Sequence, residues 1–215
     1  MGTTNPVIIN VAHHGDASTD EMSLPKQQRM IDLLQDPANW LASGKPDAIL
    51  FSAGGNDIAG DQFCIFLDNA ASSINGLNAQ RFQEALGMVE AAHRDLIEFR
   101  DRYAQGVPIF AHCYDFPLPT GIHPACVGPW LKPSLVFAGW NPADGELICR
   151  QALTDFKAML ARLAGDAANL FFMVDTQGTL TRTDWANELH PFPAGFAKLA
   201  EKFVTSLKVT FPGRI

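Results

Sequence analysis

The stretch Ala48-Ile49-Leu50-Phe51-Ser52-Ala53-Gly54-Gly55-Asn56-Asp57 runs an apolar segment straight into a double glycine and an Asn-Asp pair. A short run that is apolar on both faces predicts a buried strand of a parallel sheet. The glycines after it predict a sharp turn, and the polar pair predicts an Asx-capped helix start.

Working outward, residues 7–12, 107–112 and 170–174 read as three more buried strands. Residues 25–41 show helical periodicity through Met30, Leu33, Leu34 and Leu41, with Pro37 expected to kink or end the helix. Residues 80–103 repeat Phe82, Leu86, Val89, Leu96 and Phe99 at helical spacing, and residues 146–163 do so through Leu147, Leu153, Phe156, Met159 and Leu160. A last helix over 194–207 is expected to pack Phe196, Leu199, Phe203 and Leu207 on the sheet. This alternation predicts an α/β fold. Residues 114–144, rich in Pro, Gly and Trp, read as a long irregular loop of the kind that carries function.

A chain of 215 residues, 47% hydrophobic and 18% charged, is long enough to bury one sizeable core and too apolar to be disordered. The net charge of -7 would repel a phosphate backbone, so no nucleic-acid partner is expected. No apolar run approaches the ~20 residues of a membrane span, and the start lacks the basic and apolar regions of a signal peptide, so the expected location is cytoplasmic. Cys64, Cys113, Cys126 and Cys149 are scattered without close pairs and are expected to be free thiols. No cofactor or metal is expected; His13 and His14 are adjacent, so on an extended segment one faces the cleft, taken as His14, and the other faces away.

Ligands of an open parallel sheet bind beyond the carboxyl ends of its strands. Three loops there hold polar groups suited to chemistry: Asn10-Val11-Ala12-His13-His14-Gly15-Asp16-Ala17-Ser18, Gly54-Gly55-Asn56-Asp57, and Asp184-Trp185-Ala186-Asn187-Glu188-Leu189-His190-Pro191. The double glycine lets the backbone approach a ligand and Asn56 can present an amide donor, which is oxyanion-hole equipment; an ordinary strand-to-helix turn has the same composition. Gly15 either offers its N–H to a developing negative charge or completes a turn. His190 before Pro191 suits a general base near neutral pH. Tyr114 lines the cleft or covers the sheet edge, and Trp130, Phe137 and Trp140 form an acyl pocket or core.

Together, Gly15 in Asn-Val-Ala-His-His-Gly-Asp-Ala-Ser, Asn56 in Gly-Gly-Asn-Asp, and His190 in Asn-Glu-Leu-His-Pro resemble the second, third and fifth sequence blocks of SGNH (GDSL-type) hydrolases, over nearly the whole chain. The resemblance implies a flavodoxin-like three-layer α/β/α sandwich and a serine hydrolase of small-molecule esters working through an acyl-enzyme. It implies Gly15 and Asn56 as the oxyanion hole and His190 as base, with Gly55, His14 and Tyr114 on the substrate side. The family places Asp three residues before His, where this chain has Asn187, with Asp184 three further back. Asp184 is therefore expected as the acid and Asn187 as a positioning partner.

The family's nucleophile lies in a Gly-Asp-Ser block, which this chain lacks. The expectation is a single domain over 1–215, truncated relative to the family, with the nucleophile and the central first strand upstream of Met1. Unpaired sheet groups would then be satisfied by closure of the gap or by association with another subunit, as in a homo-oligomer. Neither Ser18 nor Ser52 has the exposed strand-to-helix turn expected of a replacement nucleophile, and Cys113 reads as a buried small hydrophobe. Two other classes fit less well. One is a non-catalytic domain that holds a carboxylate or a carbohydrate ester. The other is a phosphate or nucleotide binder using Gly54-Gly55, for which the Gly-x-Gly-x-x-Gly and Walker patterns are missing.

Overall fold

The computed structural model describes residues 7–40, 44–122 and 128–214. In chain order these form α1 (Ser18–Glu21), α2 (Leu24–Gln35), β1 (Ile49–Phe51), α3 (Gly55–Ile58), α4 (Ala79–Tyr103), β2 (Ile109–His112), α5 (Lys132–Phe137), α6 (Pro142–Gly165), β3 (Phe171–Val174) and α7 (Pro193–Thr210). The three strands make one parallel sheet in the order β1-β2-β3, flanked by helices, which is the expected α/β class. Their register sets Phe51 beside Ala111 and His112 beside Val174.

Side chains alternate across the sheet. Ile109, Ala111 and Phe171, with Ile49, Phe51 and Met173, join the main core with α4 and α6. In that layer the buried His93 ring meets Phe51, Phe156 and Phe171 edge-on and sends a hydrogen bond from Nδ1 to the Val89 carbonyl (2.8 Å). The opposite face holds Leu50, Phe110, His112 and Phe172. Phe110 stacks on Phe172 at 5.0 Å, and Phe203 and Phe211 reach His112 and Phe110 from the α7 side. Coverage there is partial: Leu50 is 49% exposed and Phe172 38%.

Arg100 is fully buried at the far end of α4, where its guanidinium donates to the carbonyls of Val107 and Asn169, before β2 and β3, and to the Asp101 carboxylate. This cation crosses between two chain segments entering neighbouring strands. Its donors satisfy carbonyls that the ladder leaves over.

Several expectations need correction. Residues 7–12 are not a strand: they pair with no other strand among the described residues, and Val7 and Ile8 are 84% and 73% exposed. An apolar run becomes a strand only where a neighbour accepts its N–H and C=O groups, and here Ala12 N–H instead bonds the Asn10 side chain. The helix expected over 25–41 ends at Gln35, because the chain must leave helical geometry before Pro37; Leu41 lies outside the described residues. The 114–144 segment is not wholly irregular, since α5 lies within it and α6 starts at Pro142. On α7, Phe196 is 51% exposed instead of packed on the sheet. Cys64, Cys113 and Cys149 are free thiols, and Cys126 lies outside the described residues. Among the described residues, no helix is long and apolar enough to cross a membrane.

Candidate functional site

Beyond β1 the chain turns at Gly54, whose φ of +104° suits glycine. A Cβ there would lie 2.5 Å from the Phe156 ring, so the residue is held small by packing as well. Gly55 carries the Tyr114 ring against its Cα, leaving a side-chain carbon only 3.0 Å from the ring. Asn56 is exposed, and its Nδ2 donates to the Asp16 carbonyl at 3.0 Å. Asp57 accepts from Ser18 N–H (2.7 Å) and Ser18 Oγ (2.9 Å). Two loops roughly forty residues apart in sequence are thus pinned together, with Gly15 at φ +84° on the exposed tip next to Asp16.

Ser18 is fully buried in this contact, which removes it as a nucleophile. His13 and His14 do not split between opposite faces: their rings stack at 5.1 Å, both residues are exposed, and His13 Nδ1 lies 3.3 Å from Asp16.

Beyond β3, a tight turn closes through Asn187 N–H and Ala186 N–H to the His190 carbonyl. The Asn187 Oδ1 accepts from the backbone N–H of Leu189 and His190 and lies 3.1 Å from His190 Nδ1. With a proton on Nδ1, this contact fixes the tautomer that leaves Nε2 as the basic nitrogen. His190 is exposed, and the shielding its ring does have pushes the imidazole below its ordinary value. The edge of Trp130 packs on its ring at 5.4 Å. Asp184 is engaged elsewhere: Lys198 Nζ sits 2.7 and 2.8 Å from its two oxygens and Thr181 donates N–H and Oγ1–H. Those donors hold its carboxyl down at about 2. The contact on His190 therefore comes from Asn187.

Glu188, between these residues, is fully buried, and nothing in its local sequence marks it as such. Its carboxylate accepts the backbone N–H groups of Gly121, Trp130, Leu131 and Lys132 at 2.6–3.1 Å, capping the start of α5 and seating Trp130 beside His190. Asp115 does similar work after β2, accepting from Phe116, Gly178 and Leu180. Phe137 is 84% exposed and Trp140 donates to the Asp68 carbonyl, so the aromatic trio does not form one pocket.

At the ends of β1 and β2 the register carries Ser52 to the side of His112, and Ser52 Oγ lies 2.8 Å from His112 Nε2. Contrary to the expectation that Ser52 lacks an exposed strand-to-helix turn, it is exposed and sits one residue past the strand, ahead of the Gly54 turn into α3. Burial alone lowers the His112 imidazole to about 4. The Tyr114 ring lies 4.2 Å from His112, and its phenol end packs against Gly55. Tyr114 adopts φ +53°, a strained value for a non-glycine residue.

The rim thus brings Gly15, Asn56, Gly55 and Tyr114 into one cluster and His190, Asn187 and Trp130 into another. No hydrogen bond among the described residues joins His190 to Asn56 or Gly15. No group of three His, Cys, Asp or Glu among the described residues is arranged to hold a metal ion.

No protein-family profile matches the sequence, and no curated protein does. Among solved structures, the fold is similar to an active-site mutant of a family two carbohydrate esterase from Clostridium thermocellum, with 15% identity and a TM-score of 0.42. The match covers 84% of this chain, which spans about two-fifths of the length of that protein (39%).

Proposed function

We propose that this rim binds and hydrolyses small-molecule esters in the manner of SGNH hydrolases. Asn56 Nδ2 and Gly15 N–H stabilise the oxyanion, His190 moves the proton and Asn187 positions it, and Gly55, His14 and Tyr114 flank the substrate. The observation that carries this reading is the hydrogen bond from Asn56 Nδ2 to Asp16. It uses one of the two amide protons to fix the side chain beside the Gly15 tip, and leaves the second for a ligand oxygen. A preorganised donor of this kind supplies roughly 10²–10³ in rate.

The chain contains no Gly-Asp-Ser triplet, so what residues 1–215 supply by this resemblance is the oxyanion donors and the base. Such a partial site retains activity over water, because donors and binding act without the nucleophile. A second reading keeps the same donors to hold a carboxylate without turnover. It is favoured by the engagement of Asp184 with Lys198.

The test is hydrolysis of p-nitrophenyl acetate by the wild-type chain and by Asn56→Ala and His190→Ala. Hydrolysis lowered on the order of a hundredfold in both variants supports the proposal. Equal rates in all three proteins overturn it; acetate-induced NMR shifts at Gly15 and Asn56 would then establish the carboxylate-holding reading.

A further inference from the structure

We propose that Ser52 is a nucleophile toward activated esters with an apolar acyl group, with His112 as its base and Tyr114 packed beside that base. This goes beyond the site above, since neither His190 nor Gly15 takes part. It gives the chain a reactive hydroxyl that its sequence motifs do not announce.

Three observations converge on it. The hydroxyl is exposed, one residue beyond β1, on a strand-turn-helix connection whose turn residue Gly54 is held small by Phe156. Its Oγ is 2.8 Å from His112 Nε2, within the reach that proton transfer requires. The third is the positive φ of Tyr114, whose ring packs 4.2 Å from His112 and whose phenol end lies against Gly55, beside the Ser52 turn. His112 Nδ1 is buried without a hydrogen-bond partner among the described residues, so no neighbour locks the imidazole in the tautomer that would block a base at Nε2. Low basicity from burial keeps the ring neutral at pH 7. On the same sheet face Leu50 and Phe172 remain partly exposed, an apolar surface for the acyl chain.

In the step, Ser52 Oγ attacks the carbonyl carbon as its proton passes to His112 Nε2. The new Oγ–C bond forms and the carbonyl π pair moves to oxygen. That pair then returns, the ester C–O bond breaks, and the leaving alkoxide takes the proton from His112. Water repeats the sequence in reverse, releasing the acid and restoring Ser52. No further reactant is needed.

The probe is an alkyl fluorophosphonate, which forms an Oγ–P bond as fluoride leaves. After reaction of the full chain, the adduct is located by peptide mass spectrometry. We expect it on the peptide containing Ser52, lost in Ser52→Ala, kept in the exposed-serine control Ser72→Ala, and slowed on the order of a hundredfold in His112→Gln. Should His112→Gln fail to fold, the wild-type pH profile serves instead. Labelling that holds level from pH 8 to about 5 and falls toward about 4 marks His112 as the base. An adduct elsewhere, no adduct, or His112→Gln labelling at the wild-type rate overturns the proposal. Failure of the site proposed above reads differently, as ester hydrolysis indifferent to His190→Ala.

Discussion

Asn187 Oδ1 lies 3.1 Å from His190 Nδ1, while Asp184, three residues earlier, gives both carboxylate oxygens to Lys198. The imidazole is thus oriented by a neutral amide. Asn187→Asp would place a charge at the same point and raise the His190 pKa by about one to three units, as an adjacent opposite charge does. Imidazole proton shifts followed by NMR titration measure it. An unchanged His190 titration would contradict the contact.

Glu188→Gln replaces a carboxylate that accepts four backbone donors with an amide that turns N–H groups toward some of them. Leaving buried donors unmatched costs about 2–3 kcal/mol. Urea unfolding should show that loss, accompanied by a change in Trp130 fluorescence.

Gly54→Ala and Gly178→Ala separate packing from backbone strain. Both positions have positive φ, but only at Gly54 would the new methyl collide with Phe156. Gly178→Ala should cost about 1–2 kcal/mol from conformation alone. Gly54→Ala should lose about 1–3 kcal/mol more to overpacking. Equal losses in thermal or urea unfolding would show that the Phe156 contact is slack.

His93 and His112 both titrate below the ordinary histidine value of 6.5, chiefly because burial penalises the charged ring. As pH falls, the unfolded chain binds these protons first. Their contribution is intact above pH 6.5 and is lost on acidification, for His112 down to about pH 4. Each contributes a slope of at most about 1.4 kcal/mol per pH unit. The unfolding midpoint should fall between pH 7 and 5, and fall less in His112→Gln.

What the sequence revealed and what it hid follow from the range of the interactions involved. The runs at 48–53, 107–112 and 170–174 contain the three strands because a short apolar run is written in local composition, although only β2 is buried on both faces and Leu50 and Phe172 stay partly exposed. The equally apolar 7–12 misled, since strand pairing depends on a partner that no local pattern encodes. Gly15 and Asn56 were singled out by turn chemistry, yet the bond that joins their loops is made by a backbone carbonyl at Asp16, which any residue could supply. Glu188 and Asp115 carry no local signal of burial, because the donors that hold them come from loops distant in sequence. Ser52 and His112 are 60 residues apart, and only the register Phe51 to Ala111 makes them neighbours.

A single carboxylate at Glu188 anchors the segment bearing Trp130 to the turn bearing His190, so the aromatic wall and the imidazole share one anchor. Widening the cleft by grafting a different stretch around Trp130 would therefore displace the imidazole too, unless the graft carries main-chain donors of matching geometry. On the proposed esterase reading, a change of substrate range is easier through side-chain exchange at Trp130 than through changes in loop length.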